Sequence, residues 1–327
     1  MIRSRQLSMA RLGRAISCIL FFLAAICPVD GFSGSRSAIG LDGKYNGKQG
    51  QILVVKVPTD AEHARVQGTF LGRTVQFFPE TRPGEIKGFV GLLGIDLQDE
   101  PGTHELAIQV ITTEHSRTLS YRVEVVKEKF RVEHLKLPKD KVDLDEQGLA
   151  RWKAEQEHVK EVLATDSQSK LWQPSFVEPV SGKRTGIFGS VRIMNGQARN
   201  PHNGEDIGAP AGTDVAATND GVVRLTVDHI FSGKGVFLDH GLGFYSMYFH
   251  LSEVLVKDGE AVKTGQIIGK VGATGRATGP HLHWGVKLNG ARVNPYALLD
   301  LPFKAEPQSA ISPPAPDSVS VVGAPAP

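Results

Sequence analysis

Residues 279–286 have the sequence GPHLHWGV, in which two histidines stand one residue apart between a Gly-Pro turn and an apolar run. Side chains alternate between the two faces of a β-strand, so His281 and His283 would share one face, with Cα atoms roughly 6.5–7 Å apart. Leu282 and Trp284 would point to the opposite face and belong to a hydrophobic core. The stretch therefore predicts a strand that presents two imidazoles side by side.

The composition of the whole chain also favours strands. The 327 residues are long enough for two domains of ordinary size, and a hydrophobic fraction of 40% is enough to build their cores. Glycine is frequent, with 36 residues, and stretches of helical periodicity are rare. We therefore expect an all-β fold class with many turns.

The first 31 residues have the pattern of a secretion signal. Four arginines and no acidic residue in the first 15 positions precede an apolar run of about a dozen residues, which is short for a membrane span. Residues 1–31 therefore predict a signal peptide and export to the periplasm or cell envelope. An uncleaved N-terminal membrane anchor is the alternative, whereas a lipoprotein is disfavoured because Ile26 precedes Cys27. The cleavage site stays open.

Loss of this leader would change both the cysteine content and the charge. The two cysteines of the chain, Cys18 and Cys27, lie in it, so the exported protein would contain no disulfide. Removing its four arginines and one aspartate takes the formal net charge from +2 to −1. A nearly neutral protein offers no electrostatic basis for binding nucleic acid or an anionic membrane.

The remaining chain divides by composition. Residues 41–127 contain close to seven short apolar runs between Gly, Pro and Asp turns, which predicts an N-terminal immunoglobulin-like β-sandwich. Residues 128–172 are predicted to form a helical linker. Residues 173–303 return to strands and turns and contain six histidines, whereas residues 304–327 are rich in Pro and Ala and predict a disordered tail.

The linker contains one amphipathic helix, over about residues 143–166. Asp143 or Asp145 would cap its N-terminus. Steps of three and four connect Leu149, Trp152, Gln156, Val159 and Leu163, and all of these except Gln156 are apolar. The helix is expected to lie outside both cores. Its apolar stripe fits a packed connector or, alternatively, a helix that lies near an active-site groove.

The third region combines residue types that bind zinc. His202 and Asp206 are four residues apart, and His250 lies at the end of an apolar strand on which Tyr248 would share its face. With the His281/His283 pair these make four histidines and one aspartate. A catalytic zinc takes three protein ligands and leaves a position for water, so two histidines would remain to move protons or stabilise an oxyanion. Such a set suits amide hydrolysis.

The spacing leaves open which member of the 281/283 pair would bind the metal. The chain contains no HExxH helix, which excludes a thermolysin-like glutamate base. His240, in the string LDHGLG, is interpreted as a turn residue. The glycines of GKVGATGRATGP lack the order of a phosphate loop and predict a tight turn beside the substrate.

Residues 184–298 resemble the lysostaphin-type (LytM) zinc endopeptidases of bacterial cell walls. The matching strings are GIFGSVR, PHNGEDIGAPAGTDVAATNDGVV, HGLGFYSMYFHLSEVLVKDGEAVKTGQIIGKVGATGRATGPHLHWGV and VNPYALL. The resemblance implies an antiparallel β-sheet groove that acts on the peptide stems and cross-links of peptidoglycan. It assigns one zinc ion to the chain, with three ligands: His202, Asp206 and His283. It assigns the assistance of catalysis to His250 and His281.

Two positions depart from the usual pattern of that family. Glu205 stands beside Asp206 where an apolar residue is commoner, and in an extended segment it should point away from the metal. Phe249 replaces a small residue before His250 and would narrow the groove. Neither change removes a predicted ligand.

The expected function is therefore zinc-dependent hydrolysis of amide bonds in peptidoglycan. The alternative is a non-enzymatic relative that binds the wall or activates an amidase, although such relatives usually lack a ligand. A third hypothesis, a biotinyl or lipoyl carrier, rests on the string VKDGEAVKTGQIIGKVG but lacks a carrier lysine in the right context. A regulatory envelope protein is a candidate partner. The bond cleaved and the oligomeric state stay open; a meso-diaminopimelate cross-link is favoured if the cell is Gram-negative.

Overall fold

The computed structural model describes residues 43–59, 63–82, 85–136, 144–164 and 167–303. The predicted leader and the predicted C-terminal tail lie outside these residues. All the described residues belong to one compact unit, which is nearly all-β, as the composition predicts. Within them, no helix combines the length and apolarity needed to span a bilayer.

Seven strands form the N-terminal sheet, in the spatial order β1-β7-β6-β3-β4-β5-β2. Strand β1 pairs in parallel with β7, and the other neighbours are antiparallel. The strands are β1 Lys44–Lys48, β2 Ile52–Val57, β3 Arg65–Phe70, β4 Arg73–Arg82, β5 Glu85–Gly94, β6 Gly102–Ile111 and β7 Ser116–Val126. Alternation decides which side chains are buried: in β3, Val66 and Phe70 enter the core while Arg65 and Gln67 stay exposed.

Strand β2 and residues 89–93 of β5 are buried on both faces. In β2, Leu53 and Val55 belong to the core of the N-terminal sheet, whereas Ile52 and Val54 belong to the core of the C-terminal region. A strand that is covered on both sides needs consecutive apolar residues, which explains the run ILVV in β2. The two halves of the chain therefore share an apolar contact.

Polar contacts join the same two halves. The Arg292 guanidinium donates to both carboxylate oxygens of Asp96, from Nη2 at 2.7 Å and from Nε at 3.0 Å. The Asn289 side chain donates to the carbonyl of Leu92 at 2.6 Å. The hydrophobic core, the ion pair and this hydrogen bond fix the C-terminal sheet against the N-terminal one.

The segment between these halves contains more than a helix. Residues Val132–Leu135 form strand β8, and α1 follows at Glu146–Val162. Asp145 caps α1 by accepting a hydrogen bond from the Gly148 amide at 2.8 Å; Asp143 lies outside the described residues. No residue of α1 is buried, so its apolar stripe does not enter either core.

Within the described residues, twelve further strands follow α1. They are β9 Lys183–Gly186, β10 Val191–Met194, β11 Gln197–Ala198, β12 Gly204–Gly208, β13 Asp214–Ala216, β14 Gly221–His229, β15 Gly233–Gly241, β16 Phe244–Val254, β17 Ala261–Val262, β18 Ile267–Val271, β19 Leu282–Leu288 and β20 Ala291–Val293. A short 3₁₀ helix at Pro295–Leu298 follows them.

Ten of these strands form one sheet, with the central order β17-β14-β15-β16-β19-β12-β9. Strand β18 pairs with β13 and β16, and β20 pairs with β19. The other two, β10 and β11, form a separate small sheet in which β8 pairs in parallel with β10. The predicted linker thus supplies a strand to a sheet of the C-terminal region.

Candidate metal centre

Two adjacent strands bring three metal-binding side chains together. Strand β12 carries Asp206 and pairs antiparallel with β19, where His283 is the direct partner of Asp206. His202 lies two residues before β12. The Asp206 Oδ1 atom is 3.0 Å from His202 Nε2 and 2.9 Å from His283 Nδ1, and the two nitrogens are 3.0 Å apart. The three donors form a compact triangle.

Neighbouring groups orient each donor of the triangle. The Nδ1 atom of His202 is 3.1 Å from the Ile187 carbonyl, so it carries the proton and leaves the Nε2 lone pair directed at the triangle. The Arg192 Nη2 atom donates to Asp206 Oδ2 at 2.6 Å, which leaves Oδ1 for the two imidazoles. Two imidazole nitrogens and a carboxylate oxygen are the donor types that zinc prefers. The cluster could therefore hold a metal ion.

The protonation states of Asp206 and His283 also suit metal binding. Burial raises the pKa of Asp206, but its interactions with the His202 and His283 imidazoles outweigh this effect and hold that pKa well below its usual range. Burial lowers the pKa of His283 to about 4, although Asp206 opposes the change. At neutral pH the site thus offers an ionised carboxylate and a neutral imidazole, the forms in which both residues bind metal.

Two more histidines flank the triangle. His250 donates from Nδ1 to the Thr274 carbonyl at 2.8 Å, and His281 donates from Nδ1 to the Gly279 carbonyl at 2.8 Å. Their ring centroids are 4.7 Å apart, and the His281 Nε2 atom is 3.8 Å from Asp206 Oδ1. All five site residues predicted from the sequence therefore lie together, three as the donor triangle and two beside it.

The predicted pairing of Tyr248 with His250 on one strand face is wrong. Tyr248 is fully buried in the core, whereas Phe249 and His250 both line the groove in front of the triangle. The reason is a break in the strand: His250 has a φ of 63°, in the left-handed region that non-glycine residues rarely adopt. Its side chain turns toward the groove instead of following the alternation of β16.

The two positions that depart from the usual family pattern behave as expected. Glu205 is fully buried on the side of β12 away from the metal cluster, and its carboxylate accepts from Arg184 Nε at 3.0 Å and from the Phe188 amide at 3.2 Å. Burial raises the pKa of Glu205, which Arg184 partly counteracts. The Phe249 ring stacks on His283 with centroids 5.8 Å apart, so it occupies part of the groove.

His240 is not a turn residue, which corrects the interpretation made from the sequence. It lies in β15, is fully buried, and stacks on Phe244 with ring centroids 4.5 Å apart. Its Nδ1 atom is 2.6 Å from the Asp220 carbonyl and its Nε2 is 2.7 Å from Ser246 Oγ. Burial lowers the pKa of His240 to about 4, so it is a neutral structural residue at pH 7.

The triangle opens into a groove of about 910 Å³ between the ten-stranded sheet and α1. One wall consists of side chains from α1: Leu149, Trp152, Glu155, Gln156 and Val159. His202, His250 and His283 line the same groove. The apolar stripe of α1 thus borders the groove, which is the second of the two alternatives for this helix.

Sequence reasoning assigned no role to Arg192, which holds the outer oxygen of Asp206. It stands 14 positions before Asp206, and no spacing rule connects an arginine in a short strand with a carboxylate in another. The signal that does exist is its position in the string GIFGSVR, which is part of the family resemblance. The carbonyls of Thr274 and Gly279, which hold the flanking histidines, carry no side-chain signal at all.

The chain is similar to known proteins in sequence and in fold. Residues 200–295 match the description of peptidase family M23, and these residues include all three donors. A crystal structure assigned to peptidase M23 from Pseudomonas aeruginosa is 31% identical in sequence and superposes with a TM-score of 0.61 over 77% of this chain and 94% of that one. Because the similarity covers nearly the whole of that chain, this protein belongs to peptidase family M23.

Curated relatives are similar to about 30% of this chain. The peptidoglycan DD-endopeptidase ShyA of Vibrio cholerae is 48% identical over 94 residues, which are 29% of this chain and 22% of ShyA. The DD-carboxypeptidase/endopeptidase Mpg of Neisseria meningitidis is 42% identical over 97 residues, 30% of this chain and 22% of Mpg. The match thus spans about a fifth of each relative. The family match over residues 200–295 includes the string VKDGEAVKTGQIIGKVG, which therefore belongs to the peptidase domain rather than to a carrier module.

Proposed function

We propose that the protein is a zinc-dependent endopeptidase that hydrolyses amide bonds in the peptide stems or cross-links of peptidoglycan. The observation that carries this proposal is the triangle of His202 Nε2, Asp206 Oδ1 and His283 Nδ1, with sides of 2.9–3.0 Å, at one side of an open groove. Membership of family M23 and similarity to proteins named as peptidoglycan DD-endopeptidases support it.

His202, Asp206 and His283 would hold the zinc ion. When bound, zinc supplies a Lewis acid that makes water nucleophilic near neutral pH and polarises a carbonyl. The negative charge of Asp206 and its hydrogen bond from Arg192 keep the donor oxygen in place. The outer partners of the donors, the Ile187 carbonyl and the Arg192 guanidinium, fix their orientation before any substrate arrives.

His250 and His281 would move protons. Each uses its Nδ1 proton in a hydrogen bond to a backbone carbonyl, so its Nε2 atom is the acceptor. Such an atom can take a proton from the attacking nucleophile and, once protonated, can donate to the oxyanion or to the leaving amine. Fixed by carbonyls rather than by other side chains, both rings keep one orientation through this exchange.

The alternative is a relative that binds the wall or activates an amidase without catalysis. The test is zinc analysis of the purified protein, digestion of purified sacculi, and mass spectrometry of the released muropeptides. We expect about one zinc per chain, following the three-ligand rule for catalytic zinc. A zinc-loaded protein that releases no muropeptide would favour the non-enzymatic alternative.

The same assays test the ligand set. His202→Ala, Asp206→Ala and His283→Ala should each lose most of the zinc and all hydrolysis, because two remaining donors hold a zinc ion poorly. Full zinc occupancy in Asp206→Ala would refute this set. The masses of the released muropeptides would identify the bond that is cleaved and show whether it is a meso-diaminopimelate cross-link.

We also propose an immunoglobulin-like sandwich for residues 41–127 and export of the protein to the periplasm or envelope. The strand order, in which β1-β7-β6-β3-β4 continues into β5-β2 around one core, supports the sandwich. The composition of residues 1–31 supports export. Cell fractionation and N-terminal sequencing of the secreted protein would test the leader and would distinguish a cleaved signal from a membrane anchor.

A further inference from the structure

The groove contains a cationic side chain that the proposed chemistry does not use. Arg276 lies in the loop between β18 and β19 and lines the groove together with His250 and His283. Its guanidinium lies over the Phe231 ring at 4.0 Å from the centroid, and its backbone amide donates to the Phe231 carbonyl at 2.8 Å. Both contacts hold Arg276 against one aromatic residue.

The aromatic support of Arg276 is itself held by α1. Trp152 packs edge-on against Phe231, with ring centroids 6.4 Å apart. The Glu155 carboxylate accepts from the Ile230 amide, with both oxygens at 3.1 Å, and the Arg151 guanidinium donates to the Asp228 carbonyl at 2.8 Å. The helix therefore fixes the hairpin on which the guanidinium rests.

Arg276 differs from Arg184 and Arg192 in its electrostatic surroundings. Arg192 is paired with Asp206 and Arg184 with Glu205. In the part of the chain that the structure describes, no carboxylate lies within 4.0 Å of the Arg276 guanidinium. Burial, together with the positive charges of Arg192 and Arg199, lowers the pKa of Arg276 to about 10.

An arginine in this situation is suited to bind an anion. A guanidinium stays protonated at neutral pH even after this shift, and a half-buried cation beside two further cations lacks a compensating charge. Its planar group of donors matches a carboxylate in a bidentate arrangement. The ring of Phe231 covers one face of the guanidinium, so the edge that carries the N–H groups is the part left for a ligand.

We propose that Arg276 is a specificity-determining residue that binds a free carboxylate of the substrate peptide in the groove. This inference rests on the proposed function, since it assigns an anionic peptide to the same site. Peptidoglycan stems carry free carboxylates that cells can convert into amides. Arg276 would therefore favour substrates with the free acid over the amidated form.

The experiment uses the full-length zinc-loaded protein and two soluble cross-linked muropeptides that differ only in whether that carboxylate is free or amidated. Arg276→Gln should raise KM for the free acid by roughly 10- to 100-fold, the range for hydrogen bonds to a charged group, with a smaller change in kcat. The amidated substrate should be affected little. Arg276→Lys, which keeps the charge but not the bidentate geometry, should fall between wild type and Arg276→Gln.

Arg122→Gln, in an exposed position of β7, is the matched control and should behave as wild type. Zinc content and circular dichroism establish that each variant is folded and loaded. A wild-type protein that does not prefer the free acid, or an equal loss on both substrates in Arg276→Gln, would overturn the proposal. If wild type cleaves neither muropeptide, the proposed function fails. Calorimetric titration with the same two compounds would then still decide whether Arg276 binds the carboxylate.

Discussion

We predict that the candidate metal centre requires glycine at position 186, because a side chain there would displace the Asp206 carboxylate. It is the last residue of β9 and the direct partner of Asp206 in β12. A Cβ atom at this position would lie 2.2 Å from Asp206 Oδ2 and 2.8 Å from Arg192 Nη2. Ordinary contact begins at 3.4 Å, so Gly186→Ala would require the carboxylate to move by about 1.2 Å.

The carboxylate cannot make this movement without losing its partners. Its Oδ1 atom is held by two imidazoles and its Oδ2 by Arg192. Zinc–oxygen bonds are about 2.0–2.2 Å long and tolerate deviations of about 0.2 Å, so a shift of this size would prevent Asp206 from coordinating the proposed zinc ion. We expect Gly186→Ala to lower zinc affinity by at least 10- to 100-fold, the usual cost of disturbing groups around a ligand, and to lower hydrolysis with it.

The assay is a competition titration of the metal-free protein against a chromophoric zinc chelator, with circular dichroism to verify the fold. Gly279→Ala is the matched control: it lies two residues from His281, but a Cβ atom there would meet no heavy atom within 4 Å. The reasoning is refuted if Gly186→Ala binds zinc as wild type does. It is also refuted if both glycine variants lose the same affinity.

Three further predictions concern the flanking histidines, the buried histidine and the contact between the two halves. His250→Ala and His281→Ala should keep their zinc but lose activity by roughly 10²- to 10⁴-fold each, and zinc lost together with activity would make the altered residue a ligand. His240 has its pKa lowered from 6.5 to about 4, so its contribution to stability is complete above pH 6.5 and declines as the pH falls toward 4. Between pH 7 and pH 4.5, the free energy of unfolding in urea should fall by about 2 kcal/mol more for wild type than for His240→Gln. An equal decrease in the two proteins would contradict this prediction. Arg292→Ala leaves Asp96 without its bidentate partner and should lower the free energy of unfolding in urea by about 1–3 kcal/mol. Zinc affinity should stay unchanged. An unchanged midpoint of urea unfolding would show that the ion pair does not contribute to stability.

The local pattern around His283 was enough to predict its strand. Leu282 and Trp284 are fully buried, and His281 and His283 both face Asp206, because alternation with a period of two is a property of the extended backbone. The chemical types of the metal donors could also be predicted without knowledge of the fold, since imidazoles and carboxylates bind zinc in any protein. The same rule failed at His250, where a left-handed residue interrupts the alternation and nothing in the sequence marks it.

Which histidine of the pair completes the triangle depended on strand register. Asp206 is paired with His283, so their donor atoms are 2.9 Å apart, whereas His281 precedes β19 and its Nε2 stays 3.8 Å away. Register results from contacts between segments about 80 residues apart, and the spacing within either segment carries no record of it.

The sequence by itself therefore predicted the strands, the helix with its cap at Asp143 or Asp145, and the chemical types of the donors, because these depend on residue type and on neighbours along the chain. Only the tertiary structure showed which surface the apolar stripe of α1 contacts. An amphipathic stripe shows only that one side of a helix avoids water, and it contains no information about the surface that covers it. The packing of Trp152 on Phe231, with the two residues 6.4 Å apart between ring centroids, turns that stripe into a wall of the groove and gives Arg276 its support.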